Sequence, residues 1–434
     1  MTSQTSLWDS QARDIRNRAK FVPIVSCRKV SKCGHNEVLI WSVLPIGQVG
    51  HDTKKVELRH KMQNSRMTQN LLRSLGLMLT FVGSPLAAEI FFENGYPTAD
   101  AKLGEALQEN EQQHAKDLLS VIENEIGAEY YPGTAKRDEH TKSHGCVNAV
   151  FQVEDNLPED LRQGIFEKSE SYQAIIRFSN SSPDSQAPDI EKDGRGFAIK
   201  IFGVPGESIS SEVSAQGQQD FILLSVPYFF INSAKDYTKV IDVKDNGTKL
   251  EELELIETIG LKGTRNISEF FSAQIGSPLE QRYYSAVPYR LGDGSKRIAV
   301  KYSVKQCDPT STAIPDDPDR NYLRSVLAET LEKGSSCLEF MVQRKVGDDM
   351  NVEDSLTEWS EDLSPYVTVA KIQIPQQVFN TAKQNNACEA MSFNPWHSLP
   401  AHKPLGSINR VRYIVYEGIS NMRRRMNELE GNGN

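Results

Sequence analysis

Beyond residue 131 the chain breaks into short apolar runs separated by turn residues. The runs at 146–153, 174–178, 196–202, 221–226, 298–304, 338–343 and 367–374 are rich in β-branched and aromatic side chains. The stretches Asn180-Ser-Ser-Pro183 and Leu291-Gly-Asp-Gly294 punctuate them. Helical periodicity intervenes at 159–168, 251–260, 320–333 and 408–428. Short strands in such succession predict an antiparallel barrel or sandwich with helices around it, hence an α+β fold. Upstream, residues 98–127 carry Leu103, Leu107, Leu118, Leu119 and Ile122 in an Ala/Glu/Gln-rich background, which predicts one helix. Residues 353–364 are acidic and predict a solvated loop.

Residues 1–66 hold isolated apolar pieces without a sustained period, and a poorly ordered extension is expected there. Residues 67–88 have a basic start (Arg73), an apolar core from Leu75 to Val82 and a small-residue exit, the make-up of a secretory signal. If translation starts near Met62 or Met67, this segment predicts export to the periplasm or the exterior. With the start at Met1 the protein is expected in the cytoplasm, and the same segment reads as an amphipathic surface helix. The remaining divisions expected are a helical lead-in at 89–130, the principal domain at 131–428 and a disordered tail at 429–434.

Composition narrows the class. The 434 residues are 38% apolar and 25% charged, an ordinary globular profile. No run approaches the roughly 18 apolar residues of a membrane-spanning helix. A net charge of −9 leaves no broad basic surface, so no nucleic-acid partner is expected. Six cysteines are too few for a disulfide scaffold in a chain this long, so plain thiols are expected. Cys27, Cys33 and His35 offer too few ligands, at a spacing that fits no common zinc site.

The sharpest chemistry lies near the C terminus. On a helix, positions i, i+4 and i+11 share a face, so Arg412, Tyr416 and Arg423 align. A phenol ordinarily ionises near about 10, and a guanidinium one turn away favours its phenolate. A phenolate is a good ligand for ferric iron and one of the few axial ligands of haem. Arg423 then faces a second anion. The plain alternative is a surface arginine beside a half-buried tyrosine, a common helical pair.

The block FNPWHSLPAHKPLGSINR (393–410), followed by Arg412-x-x-x-Tyr416 and then Arg423, resembles the proximal haem segment of catalases. The resemblance implies Tyr416 as the metal ligand, Arg412 as its charge partner and Arg423 as a propionate contact. RDEHTKSHGCVNAVFQV (137–153) resembles the distal segment of that family and brings Arg137 and one of two histidines to the cofactor. His140 keeps the Arg-x-x-His-x-Lys frame. His144, between Ser143 and Gly145, is similar to the Thr-His pair of catalase-related enzymes acting on fatty-acid hydroperoxides, and this local pattern favours His144. IRFSN (176–180) resembles the family's Arg-Phe-Ser, which implies that Arg177 holds a propionate. DGRGFAIK (193–200) and QDFILLSVPYFFI (219–231) resemble its next two strands. They imply Phe229 near the distal face and Tyr237 against the haem edge. The family's distal asparagine falls at Leu224 or Ser225, and Ser225 offers one hydroxyl of shorter reach.

The implied architecture is a catalase-like antiparallel β-barrel with surrounding helices and a long C-terminal helix carrying the ligand, as in the minimal catalase-related haemoproteins. The implied cofactor is haem b, its iron held by tyrosinate. The implied substrate is hydrogen peroxide or an organic hydroperoxide, lipid hydroperoxides included, with a histidine acting as acid and base in turn. The alternative is a non-catalytic barrel that binds haem or an apolar ligand. A monomer or homodimer is expected.

Overall fold

The computed structural model describes residues 89–137, 139–210, 217–246 and 249–428, without the side chains of residues 242–255. Cys27, Cys33, His35, the signal-like segment 67–88 and the tail 429–434 lie outside these residues.

The described chain opens with a small ladder of β1 (Phe92–Glu93) and β2 (Tyr96–Pro97), then helix α1 (Glu111–Glu129). Strands β3 (Ser143–Val153), β4 (Ser171–Asn180), β5 (Arg195–Phe202) and β6 (Gln218–Leu224) follow as successive antiparallel neighbours. Helices α2 (Ala234–Asn246) and α3 (Lys249–Phe270) precede β7 (Tyr283–Tyr284), β8 (Tyr289–Leu291) and β9 (Ile298–Gln306). Helix α4 (Tyr322–Lys333), strands β10 (Ser336–Arg344) and β11 (Val367–Ile374), and helices α5 (Ala382–Ala390) and α6 (Ser407–Glu428) complete the chain.

The sheet order is β10-β11-β3-β4-β5-β6-β7-β9-β8, and β9 pairs back to β10. Eight strands thus close into an antiparallel barrel, with β8 hung on β9 outside the ring. Closure removes the exposed edges that an open sheet would present. Alternation fills the interior: Val147, Phe151, Ile176, Phe178, Phe197, Ile199, Phe221, Tyr302 and Phe340 are fully or almost fully buried in one cluster. Burying each such side chain stabilises the barrel by about 1.5–3 kcal/mol before entropy is counted. A second cluster joins α1 to α6 through Ala115, Leu118, Ile122, Val411 and Ile419, which fixes where α6 runs.

Most of the expected strands form, with ends shifted by a few residues. Several other expectations change. The helix expected at 98–127 breaks: a short turn at Ala101–Leu103 is followed by irregular chain, α1 starts only at Glu111, and Leu107 is 55% exposed. The break lets Glu105 and Glu111 both reach the buried Arg410. The helix expected at 159–168 is only a turn at Gly164–Phe166. Gly164 has φ +58, and a Cβ there would overlap the His402 ring, which accepts the Ile165 N–H at 3.0 Å. The acidic stretch 353–364 is not simply solvated, because Trp359 is buried and Glu353 pairs with Arg410 at 2.8 Å. Four of the cysteines are not thiols: Cys146 bridges Cys388 and Cys307 bridges Cys337, with Cα atoms 5.7 and 5.5 Å apart. Their separations in the chain, 242 and 30 residues, carry no spacing signal; strand and helix packing brings them together.

Candidate functional site

With the odd residues of β3 and the even residues of β4 turned inward, Arg177 and Ser179 face out of the barrel. The registers lay two rows across this outer face. One runs Cys146, Arg177, Ala198, Ile222; the other runs Ser179, Gly196, Leu224. Between Ser143 and Gly145 the β3–β4 ladder slips, leaving His144 as the extra residue of a bulge.

His140 sits over the second row in a left-handed turn (φ 58). Its N–H donates to the Ser181 carbonyl at 3.1 Å, and its own carbonyl accepts from Arg177 Nη2 at 2.7 Å. Its Nδ1 lies 3.1 Å from Ser179 Oγ. Gly196 makes this possible: a Cβ there would press against His140 Nδ1 at 2.5 Å. Burial, the Arg177 guanidinium and the charges of Arg412 and Arg137 push the imidazole down to about 3, so it is neutral at ordinary pH.

Three guanidiniums gather beside it. Arg137 donates to Glu389 Oε1 at 2.8 Å and to the Met391 carbonyl at 2.5 Å. Arg423 donates to the Glu389 carbonyl at 2.6 Å and lies 3.6 Å from the same carboxylate. Arg177, only 4% exposed, feels Arg137 and Arg423 and has its charged form well disfavoured by burial. Arg423, 6% exposed, is pulled down to about 10 by burial and by Arg137. The Nε atoms of Arg177 and Arg423 are buried without a hydrogen-bond partner. Among the described residues, the three cations have one half-buried carboxylate, Glu389, between them.

Helix α6 brings Arg412 and Tyr416 to the same neighbourhood. Arg412 is buried, holds Asn409 Oδ1 at 3.3 Å and lies over the Phe229 ring at 5.4 Å. Tyr416, one turn on, is half-buried. Tyr289 is fully buried beside both, and its hydroxyl has no hydrogen-bond partner. Phe229 stacks on Phe230 with centroids 4.3 Å apart, and Tyr237 meets both rings edge-on. Leu224 packs in the same apolar cluster as Phe229, Phe230 and Phe270.

Not every expected residue joins. His144, 1% exposed, is aimed by its bulge into a separate polar knot. Its Nε2 lies 2.7 Å from Asn180 Oδ1 and its Nδ1 3.8 Å from Asp189, which also holds Lys142 at 2.7 Å. The arginine cluster thus meets His140, while His144 lies among Asn180, Asp189 and Lys142. Ser225 closes a turn instead of reaching outward: its Oγ accepts the Arg195 N–H at 3.1 Å. Sequence reasoning passes over Ser179, Gly196, Tyr289 and Glu389. Strand alternation from Arg177 was a signal for Ser179; Glu389 had none.

Among the described residues, no cluster of three His, Cys, Asp or Glu forms a metal site, and no helix is long and apolar enough to cross a membrane. A cleft of about 350 Å³ lined by Gln274, Ile275, Arg282 and Thr312, among others, contains none of the residues above.

Residues 133–253 match the Catalase family model. The barrel with its helices superposes on a fungal catalase with a TM-score of 0.54 at 17% identity, covering 79% of this chain and 68% of that one. The fold is catalase-like, and residues 133–253 resemble the Catalase family in sequence. Catalase A from Saccharomyces cerevisiae gives the same fold likeness, with a TM-score of 0.54 at 17% identity over 79% of this chain and 68% of its own. Catalase isozyme 2 of Nicotiana plumbaginifolia is 23% identical over 247 residues, covering 52% of this chain and 47% of its own. Catalase C of Rhizobium meliloti (strain 1021) is 28% identical over 103 residues, 24% of this chain and 13% of its own. The chain thus matches less than half the length of either curated relative. The matched span, 133–253, includes Arg137, His140, Arg177 and Phe229, whereas the α6 residues lie beyond it.

Proposed function

We propose that the chain is a haem-dependent enzyme that transforms hydroperoxides, with organic hydroperoxides preferred over hydrogen peroxide. The observation that carries this reading is the cradle: three clustered, buried or half-buried guanidiniums, two with orphaned Nε atoms and one carboxylate between them among the described residues, beside a neutral histidine. Buried cations with orphaned N–H groups fit a dianion, and the two propionates of haem b supply that charge at a largely apolar plate. Arg137, Arg177 and Arg423 would hold the propionates. Tyr416 would ligate the iron, with Arg412 one turn away to favour its phenolate. When bound, haem supplies the ferric centre at which a peroxide O–O bond is broken.

The chain's own residues then move the proton. With Nδ1 held by Ser179, His140 uses Nε2 to take the proton of the inner peroxide oxygen and return it to the outer one. Gly196 and the Arg177 bond to the His140 carbonyl fix the ring. Leu224 stands on the row crossed by Ser179 and Gly196, where the family resemblance expects a polar asparagine. Together with Phe229 and Phe230 it lines that side with carbon, which suits an alkyl hydroperoxide better than hydrogen peroxide.

The test is an absorbance titration of the purified chain with haem, followed by stopped-flow mixing with a fatty-acid hydroperoxide and with hydrogen peroxide. A tyrosinate-type ferric spectrum and faster loss of the organic substrate are expected. Tyr416→Phe should lose both the spectrum and at least most of the turnover. A variant that keeps them would reject the assignment. A ferric spectrum inert to both peroxides would favour the second reading, a non-catalytic haem-binding barrel, for which the carbon side chain of Leu224 is the supporting feature.

A further inference from the structure

The bridge between Cys146 and Cys388 ties β3 to α5 across 242 residues of chain, and its two ends border the arginine cradle. Cys146 stands opposite Arg177 in the β3–β4 ladder. Cys388 directly precedes Glu389, whose carboxylate and carbonyl receive Arg137 at 2.8 Å and Arg423 at 2.6 Å. Met391, just past the end of α5, offers its carbonyl to the second nitrogen of Arg137 at 2.5 Å. All three guanidiniums are therefore placed by the two segments that the bridge clamps together.

The bridge is the one covalent cross-link that α5 has to the barrel among the described residues. The helix has nine residues, and Cys388 is its one buried side chain. Its N-cap Thr381 accepts the Gln384 N–H at 3.2 Å, and Gln384 Nε2 reaches the Cys146 carbonyl at 3.3 Å. A helix this short does not persist without tertiary anchorage. The apolar contacts around it centre on Cys146, Cys388 and Phe393 themselves.

Building on the haem reading above, we propose that the Cys146–Cys388 disulfide is a redox latch on the anion cradle. Closed, it holds Glu389 against Arg137 and Arg423 and keeps the three guanidiniums set for a dianion. Opened by a dithiol, it frees α5 and the cofactor is retained less well. The step balances: the dithiol gives two electrons and two protons, the Sγ–Sγ bond breaks, two Sγ–H bonds form, and the dithiol closes to its cyclic disulfide. Cys146, Cys388 and Glu389 are positioning residues; none acts on substrate. The second bridge, Cys307–Cys337, joins the end of β9 to the start of β10 and borders no cradle residue, so it is the internal control.

The experiment follows haem retention on the full chain by Soret absorbance during transfer to an excess of a haem-scavenging protein. The samples are the oxidised chain, the dithiol-treated chain with its thiols counted by alkylation and mass, Cys146→Ser, Cys388→Ser, the double variant and Cys337→Ser. Haem should leave the reduced chain and both single variants about tenfold faster or more. The double variant should be no worse than either single one. Cys337→Ser should behave like the oxidised chain. Amide hydrogen exchange at 382–391 should rise in the same samples that lose haem. Equal retention by oxidised and reduced chain, or additive loss in the double variant, overturns the latch while the haem reading stands. Absence of a Soret band in every sample removes both. If the serine variants do not fold, the reduced wild-type chain decides alone.

Discussion

Helix α6 buries an arginine near each end, and the two are treated oppositely. Arg410 is fully buried and saturated: it reaches Glu111 at 2.7 Å, Glu105 at 2.7 Å and Glu353 at 2.8 Å. Burial works against its charge, but its hydrogen bonds to Glu111 and Glu353 outweigh burial and raise its pKa above the ordinary value. Arg423 shares one half-buried carboxylate with Arg137, has Arg177 in the same field, and its pKa falls. Burial alone therefore does not mark a site. A buried cation with its full set of anions is architecture, stapling the lead-in to the start of α6. A buried cation with fewer anions around it is where, on the proposed reading, a ligand would supply charge.

The comparison breaks most readily at its saturated end. Arg410→Met should cost about 3–5 kcal/mol in denaturant unfolding, because it strands three carboxylates. Haem affinity per folded molecule should be unchanged. Next come the two histidines. His140→Ala should lower hydroperoxide turnover by about 10²–10⁴-fold at nearly unchanged stability. His144→Ala should instead cost about 1–3 kcal/mol by unsettling the Asn180–Asp189 knot, with turnover per folded molecule retained. At the other end, Arg423→Ala should cost the ligand-free chain less than Arg410→Met, about 1–3 kcal/mol, since it removes one bond to the Glu389 carbonyl. It should also weaken haem binding about 10–100-fold in the absorbance titration.

Acid should weaken the fold as well. His140, His144 and His402 are each pushed down to about 3, burial being the first cause in all three. Unfolded, they titrate near about 6.5. Between these values the unfolded chain binds more protons, so stability is full above the upper value and declines as pH falls toward the lower one. Each histidine contributes a slope of about 1.4 kcal/mol per pH unit. Denaturation midpoints between pH 4 and 7 would show it. Arg177→Met should soften the decline, since Arg177 is the nearest charge holding His140 down.

Much of the barrel was legible because a strand declares itself by alternation. Residues 367–374 form β11 with the expected ends, and the runs around 146, 174 and 298 lie within β3, β4 and β9. Helices α2 and α5 escaped notice; α5 buries one residue and so has no apolar stripe to betray it. The helix expected at 98–127 failed for the opposite reason. Its stripe is real, but two glutamates are claimed by Arg410 from some 300 positions away, and that demand breaks the backbone. The placement of His144 was not legible, because a bulge, invisible in the residue types, sets that side chain outside the regular alternation of β3.

Local periodicity alone put Arg412, Tyr416 and Arg423 on one face of a helix, because that relation depends only on the turn per residue. Tertiary structure decided which arginine keeps its counter-ions, which histidine meets the cradle and which cysteines pair. Charge balance and covalent pairing depend on groups that are remote along the chain and adjacent only once the barrel has closed.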